Sequence, residues 1–261
     1  MSSPSVYILT RGRVDKQTTY RALPPAVLKH TNLVVSWEER DQYPAYPIIV
    51  PPRRVTGVGA VRQWIIEHHA ATVSDPRLVM LDDDLRFDVR RADADNKFRV
   101  ATPRDVEDLF TKINQALRKY AHVGVLAREG GNRVAESTME CARMLRVLAY
   151  DASIFLANRI KYNRLDVAED FDVTLQLLRK GFKNLILCHM VQGQGQSNAP
   201  GGCSLYRTME LQEQMIRQLA AIHAPFVRVV EKTTKVAWGG QTRVDAVISW
   251  KKAYASSQRG T

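Results

Sequence analysis

Short apolar runs alternate with amphipathic segments along this chain. Residues 6–9 are apolar and end in Thr10, Arg11, Gly12 and Arg13. A run of that length closed by a polar turn reads as a buried strand followed by a loop. Residues 33–37 and 46–50 repeat the pattern, the first stopping at Glu38 and Glu39, the second at Pro51 and Pro52. The period then changes. Over residues 57–71, Val58, Val61, Ile65 and His68 or His69 fall on one side of a helix. Residues 78–81 are apolar throughout and run directly into Asp82, Asp83 and Asp84.

Residues 90–99 are polar and charged and read as an exposed loop. Thr102 suits an N-cap and Pro103 a first helical position, so a helix is expected from there to about Tyr120. A strand at 122–127, a turn at 130–132 and an extended segment at 146–155 follow. A helix at 167–180, closed by Gly181, leads to a buried strand at 185–189. Residues 192–202, rich in Gly, Gln, Asn and Pro, read as a mobile loop, either a lid over a ligand or an inert connection. A long helix at 204–223 precedes a tail, 227–254, with one strand and mixed structure. The alternation of strands and helices predicts an α/β domain.

Composition narrows the picture. With 261 residues, 45% of them hydrophobic, the chain can bury one sizeable core. No apolar run approaches the ~20 residues that span a bilayer, and residues 1–5 lack the features of a signal peptide. A cytoplasmic protein with no membrane partner is expected. The cysteines, Cys141, Cys188 and Cys203, are odd in number and lack metal-ligand spacing, so reduced structural thiols are expected. Lysine and arginine total 38 against 27 acids, a net charge of +11 that favours an anionic partner, nucleic acid first. The excess is spread along the chain.

The chemistry concentrates at Asp82, Asp83 and Asp84, three carboxylates ending an apolar strand at the edge where open α/β sheets bind ligands. Such a cluster repels itself and invites a compensating cation. Mg²⁺ and Mn²⁺ suit carboxylate oxygens and bridge substrate phosphates. Alternation puts Asp82 and Asp84 on one side and Asp83 on the other. A strand followed by Asp-x-Asp in an α/β domain of this size resembles the GT-A fold of nucleotide-sugar glycosyltransferases. That resemblance implies a Rossmann-like, mostly parallel sheet flanked by helices; residues 1–203 are expected to form this catalytic domain, and residues 204–261, beyond the resemblance, an extension packed on it. Thr10, Arg11, Gly12 and Arg13 resemble the family's nucleotide-binding loop. Glu38 or Glu39 stands where the family often contacts the donor base. Residues 57–62 resemble a Gly-x-x-x-Ala-Arg helix start, with Val61 in the alanine's place and Arg62 in the arginine's. Glu169 and Asp170 resemble the family's Glu-Asp motif, which implies Asp170 as the catalytic base of an inverting transfer. His189 stands where a family histidine often completes the metal shell with Asp82 and Asp84. The resemblance covers roughly residues 6–190.

The basic charge and compact size resemble the phage-type enzymes associated with TET/JBP oxygenases. This implies a sugar donor, a UDP-sugar first, with Mn²⁺ or Mg²⁺, and an acceptor such as 5-hydroxymethylcytosine in DNA, reached by extruding the base. Arg128, Arg133, Arg159, Lys161 and Arg164 are then expected to contact the nucleic acid, and Tyr150, Phe155 or Tyr162 to stack on the extruded base. Two alternatives stay open: transfer to a polysaccharide, protein or small molecule, and a nucleic-acid-binding module on a degenerate transferase fold. A nucleotidyltransferase would bring a better phosphate-cradling glycine loop than residues 10–13 offer.

Overall fold

A computed structural model describes residues 3–194, 208–233 and 242–258, with backbone only at 94–96. Strand β1 (Ser5–Leu9) opens the chain and leads through two short helices, α1 (Thr18–Ala22) and α2 (Pro25–Leu28), to β2 (Thr31–Val34) and β3 (Ile48–Ile49). Helix α3 (Val58–Thr72) leads to β4 (Arg77–Asp82), and a tight turn to a hairpin, β5 (Leu85–Arg91) and β6 (Ala94–Val100). Helix α4 (Pro103–Ala116) is followed by β7 (His122–Ala127), β8 (Thr138–Glu140) and β9 (Val147–Asp151). Helices α5 (Ala152–Ala157) and α6 (Glu169–Arg179) precede the long strand β10 (Asn184–Gln194). The C-terminal part is α7 (Met209–Ile222), a hairpin of β11 (Val227–Thr233) and β12 (Thr242–Ile248), and α8 (Trp250–Ser257).

The main sheet runs β3-β2-β1-β4-β9-β7-β10-β5-β6, with β8 paired to β10. Strands β3, β2, β1, β4, β7 and β10 all point one way; β9 is inserted antiparallel between β4 and β7. The result is the expected α/β architecture with a mostly parallel sheet. Period-2 alternation sorts each strand between two cores. Val6, Ile8, Val79, Leu81, Val147 and Ala149 face the side covered by α1, α2 and α4. Tyr7, Leu78, Met80, Leu148 and Tyr150 face the side covered by α3, α5 and α6. Gly59 permits close approach of α3 to the segment after α5, since a Cβ there would lie 2.7 Å from the Tyr162 carbonyl oxygen.

Two expectations about local structure change. Residues 90–99 form part of the β5–β6 hairpin rather than a loop, paired from Asp88↔Val100 through Arg90↔Phe98. Only one face of this edge hairpin packs inward, through Leu85 and Phe87, and charges on the other face hide the strand pattern. Residues 146–155 are not extended throughout. The Asp151 carboxylate ends β9 by accepting the Ser153 and Ile154 amides, at 2.9 and 3.2 Å, and so starts α5. The helix after Thr102 forms with a full capping box but ends at Ala116. Of the loop expected at 192–202, residues 192–194 belong to β10 and the rest lies outside the described residues, as does Cys203.

The C-terminal part closes its own core (Met215, Ile216, Leu219, Val227, Val244, Ala253) against Leu165, Val167 and Leu175. A buried polar seam joins it to α6. His223 Nε2 donates to Asp172 Oδ1 at 2.6 Å, and Arg179 donates to His223 Nδ1 at 3.2 Å. An acceptor at Nδ1 and a donor at Nε2 define the neutral imidazole. Gln176 donates to the second Asp172 oxygen at 2.9 Å.

Candidate active site

A cavity of about 560 Å³ opens along the carboxyl ends of the parallel strands. Its lining runs from Val35, Ser36, Trp37 and Glu38 after β2, past Thr10 and Asp82, to Glu129 after β7 and Gln194 at the end of β10. Five strand intervals separate β2 from β10, roughly 24 Å at about 4.8 Å each. The β2 end and the β10 end of the cavity are therefore distinct places.

The loop after β1 is built around Gly12, whose φ of 67° is left-handed and suits glycine. Its amide donates to both Glu39 oxygens, at 3.1 and 2.9 Å. Glu39 therefore shapes the loop, while Glu38 lines the cavity and pairs with Arg53 at 3.4 Å. Thr10 Oγ1 donates to Asp83 Oδ2 at 2.6 Å, and Arg13 donates to Asp83 at 2.5 Å and to Asp84 at 3.0 Å. Asp83 is 3% exposed, and burial pushes its pKa up to about 6 against the pull of Thr10 and Arg13. Both its oxygens are used inside the protein, so Asp83 fastens the loop rather than offering itself to a ligand.

Arg62 joins the two acidic motifs. From the first turns of α3 it donates to Asp82 Oδ1 at 2.8 Å and to Glu169 Oε1, with its guanidinium 5.9 Å from the Tyr162 ring centre. Burial opposes its charge, but Glu169 and Asp82 outweigh that and raise its pKa. Burial likewise raises Glu169 and Asp82, each held back by Arg62. Ala168 caps α6 in the left-handed region, φ 64°, a conformation costly for a residue with a Cβ. Asp170 follows in the first turn, lines the same cavity and accepts the Phe171 amide at 2.9 Å.

Asp82 and Asp84 keep 32% and 22% of their side-chain surface open. Their arginine contacts use Oδ1 of Asp82 and Oδ2 of Asp84, one oxygen each. Among the described residues no three His, Cys, Asp or Glu side chains converge to hold a metal by themselves. Two hard carboxylates fit a cation that takes its remaining ligands from water and substrate phosphates, as Mg²⁺ does.

His189 is not part of this set. It falls in the β10 irregularity between Leu187 and Val191, and its electrostatic neighbours are Lys112 and Asp108 on α4. Burial lowers its pKa to about 4, and its Nε2 is buried without a partner. The expected metal role fails because β10 presents this ring to α4 rather than to the cavity. The expected acceptor residues also lie off the cavity. Tyr150 is 0% exposed, bonded through its hydroxyl to Tyr162 at 2.6 Å, and packed with Phe155, so none of these three rings can stack on a base. Arg128 turns to Phe98, 4.8 Å from its ring centre, and to Asp88 at 3.4 Å. Arg164 pairs with Asp172 at 3.3 Å; Arg133, Arg159 and Lys161 are exposed outside the cavity.

Sequence reasoning missed three cations that do line the cavity: Arg143 and Arg146, before β9, and Arg243 on β12. Arg146 grips Glu129 with two bonds, at 3.0 and 3.2 Å. Arg143 stands 4.5 Å from the Phe171 ring centre. The pattern carried no signal for them, because residues 141–146 have no periodicity and Arg243 is remote in sequence. Trp37, 43% exposed at the β2 end with Arg40 4.6 Å from its ring centre, was also missed.

A model of the TET-Associated Glycosyltransferase family matches residues 4–202. Two relatives are similar over 70% of this chain and 68% of their own length. One is the Beta-glucosyl-HMC-alpha-glucosyl-transferase of Enterobacteria phage T2, 25% identical over 210 residues; the other, of the same name from Enterobacteria phage T6, is 24% identical over 194 residues. Among solved structures, S. aureus TarS is similar at 12% identity and a TM-score of 0.48, over 84% of this chain and 39% of that one. GalNAc-T7, solved with UDP, GalNAc and Mn²⁺, is similar at 13% identity and a TM-score of 0.45, over 74% and 43%. The chain spans less than half the length of either structure. The wall formed by α7 and β12 lies beyond the residues that the family model matches.

Proposed function

The chain belongs to the TET-Associated Glycosyltransferase family, and from that premise we propose that it moves a sugar from a nucleotide-sugar donor onto a hydroxymethylated pyrimidine of DNA, with a divalent metal. Glycosyl transfer is the family's chemistry. The observation that carries the rest is Arg62, which gathers Asp82 at the end of β4 and Glu169 at the start of α6 onto one cavity wall. Asp170 stands next to that pair, in the same cavity.

The donor nucleotide, a UDP-sugar in this reading, takes the β2 end, where Glu38 and Trp37 face its base and Arg11 and Arg13 its phosphates. Asp82 and Asp84 are the residues that would hold Mn²⁺ or Mg²⁺, whose chemistry is to neutralise the leaving diphosphate. Asp170 accepts the proton of the acceptor hydroxyl as its oxygen attacks the anomeric carbon. The new C–O bond forms as the bond to the diphosphate breaks, and the diphosphate leaves with the electron pair. A single displacement of this kind inverts the anomeric centre. Glu169, spent on Arg62, holds the start of α6 in register.

The net charge of +11 supports a polyanionic acceptor. So do the names of the two phage relatives, which carry HMC. Both names also read glucosyl-HMC, which favours as a second reading an acceptor base that already bears glucose. One experiment addresses all of this. The protein is incubated with Mn²⁺ and a panel of nucleotide sugars, together with plain, hydroxymethylated or glucosyl-hydroxymethylated DNA, and the digested nucleosides are weighed. A hexose or pentose mass gain on modified bases alone, abolished by a chelator, is the expected result. Release of free nucleotide with no gain on any DNA would send the acceptor search to glycans or proteins and overturn the DNA reading.

A further inference from the structure

The cavity is lined by two guanidinium groups, those of Arg143 and Arg243, whose donors are not used up inside the protein. Among the described residues no carboxylate lies within ion-pair distance of Arg143, whose contact is the ring of Phe171, the residue after Asp170. Arg243 donates to Asp245 Oδ2 through Nη2 at 3.3 Å, while its Nε is buried with no partner. Asp245 is already neutralised, since Lys232 also donates to it at 3.0 Å. Asp245 and Asp170 both act on the charge of Arg143, which puts that guanidinium within electrostatic reach of the base and of the β12 wall. A third cation of the lining, Arg146, is paired with Glu129. A buried donor without an acceptor, as the Arg243 Nε is, is costly and is found where a ligand supplies the acceptor, while the exposed Arg143 offers its donors to the solvent beside it. Guanidinium forks match the paired oxygens of a phosphate.

We propose that Arg143 and Arg243 form a phosphate subsite that seats a phosphodiester of the acceptor strand beside Asp170. The inference rests on the reading that the acceptor is a polynucleotide. The donor's own diphosphate is the other source of such an anion. Position favours the acceptor: the donor loop and the carboxylates Asp82 and Asp84 lie at the ends of β1 and β4, whereas Arg243 belongs to β12 and the acids that act on Arg143 are Asp170, Asp245 and Glu129. A phosphate held there would fix the strand so that the extruded base enters the cavity in one orientation, which is the usual task of backbone contacts.

The test compares the intact enzyme with Arg143→Gln, Arg243→Gln and Arg243→Lys, using Mn²⁺ and the productive nucleotide sugar. Three quantities are measured: KM for a modified oligonucleotide, KM for the nucleotide sugar, and the transfer rate to the corresponding free nucleoside, which has no phosphate. Each glutamine variant is expected to raise the oligonucleotide KM about tenfold, the scale of one charge-assisted contact. It should lower the slope of log affinity against log salt by about one unit. The donor KM and the nucleoside rate should stay within about twofold, and Arg243→Lys should recover part of the loss. A raised donor KM would assign the subsite to the donor diphosphate and overturn the proposal. Equal losses on nucleoside and oligonucleotide would make these arginines structural and overturn it too. Failure of the DNA reading looks different: the wild-type enzyme itself would then transfer nothing to modified DNA while still consuming donor.

Discussion

Glu169 gives its carboxylate to Arg62, whereas Asp170, one residue on, accepts among the described residues only the backbone amide of Phe171. That difference separates a positioning residue from a candidate base. Asp170→Asn keeps the size and the amide contact but cannot take a proton. It should slow transfer by at least ~100-fold with little change in donor KM, as steady-state kinetics would show. An unchanged rate would move the base elsewhere. A second residue-scale prediction concerns His122, which is fully buried and donates through Nε2 to the Phe182 carbonyl at 3.0 Å. Burial lowers its pKa from 6.5 to about 4. The unfolded chain therefore takes up a proton near pH 6.5 that the fold resists until about pH 4. The stability this residue contributes is present above pH 6.5 and lost as the pH falls through about 4, a change on the order of 3 kcal/mol. Urea unfolding across that window should show the loss in the wild type and a clearly smaller one in His122→Gln.

At the scale of elements, α4 shows how much a local signal can specify. Thr102 accepts the Asp105 amide at 3.3 Å, Asp105 accepts the Thr102 amide at 2.7 Å, and Pro103 sits where no amide is needed. Thr102→Ala should cost about 1 kcal/mol, read from the denaturant midpoint, with no effect on transfer because α4 lies on the sheet face away from α3, α5 and α6. The hairpin of β5 and β6 teaches the opposite lesson. Its pairing partners are β10 and each other, and nothing local distinguishes so charged a stretch from a loop. His189 belongs with it: a histidine ending an apolar run looks like a ligand until the β10 irregularity turns it towards α4.

At the scale of the whole molecule, the C-terminal part completes the cavity. Gln212, Ile216, Arg243 and Asp245 line it, and the seam of His223, Asp172 and Arg179 holds that wall against α6. Asp172 is 0% exposed, so loss of the imidazole leaves a buried carboxylate short of a donor. His223→Ala should cost about 3 kcal/mol, combining the lost bond to a charged group with the cavity left behind. A shift of less than about 1 kcal/mol in urea unfolding would mean that the wall is held by its apolar contacts alone.

The sequence by itself determined the elements whose cause is local: the apolar strands β1, β4 and β7, the capped helix α4, and the acids that end β4 and open α6. Periodicity, capping and the order of motifs are written in neighbouring residues, and so was the family resemblance. Tertiary structure alone decided which charges are spent and which are free. Asp83 and Glu39 fasten the loop, Glu169 holds Arg62, Tyr150 is sealed in the core, and Arg143 and Arg243, far apart in the chain, line the same cavity. A side chain's partner is set by which strands lie side by side. Strand order comes from burying both faces of the sheet at once, a constraint that no single segment carries.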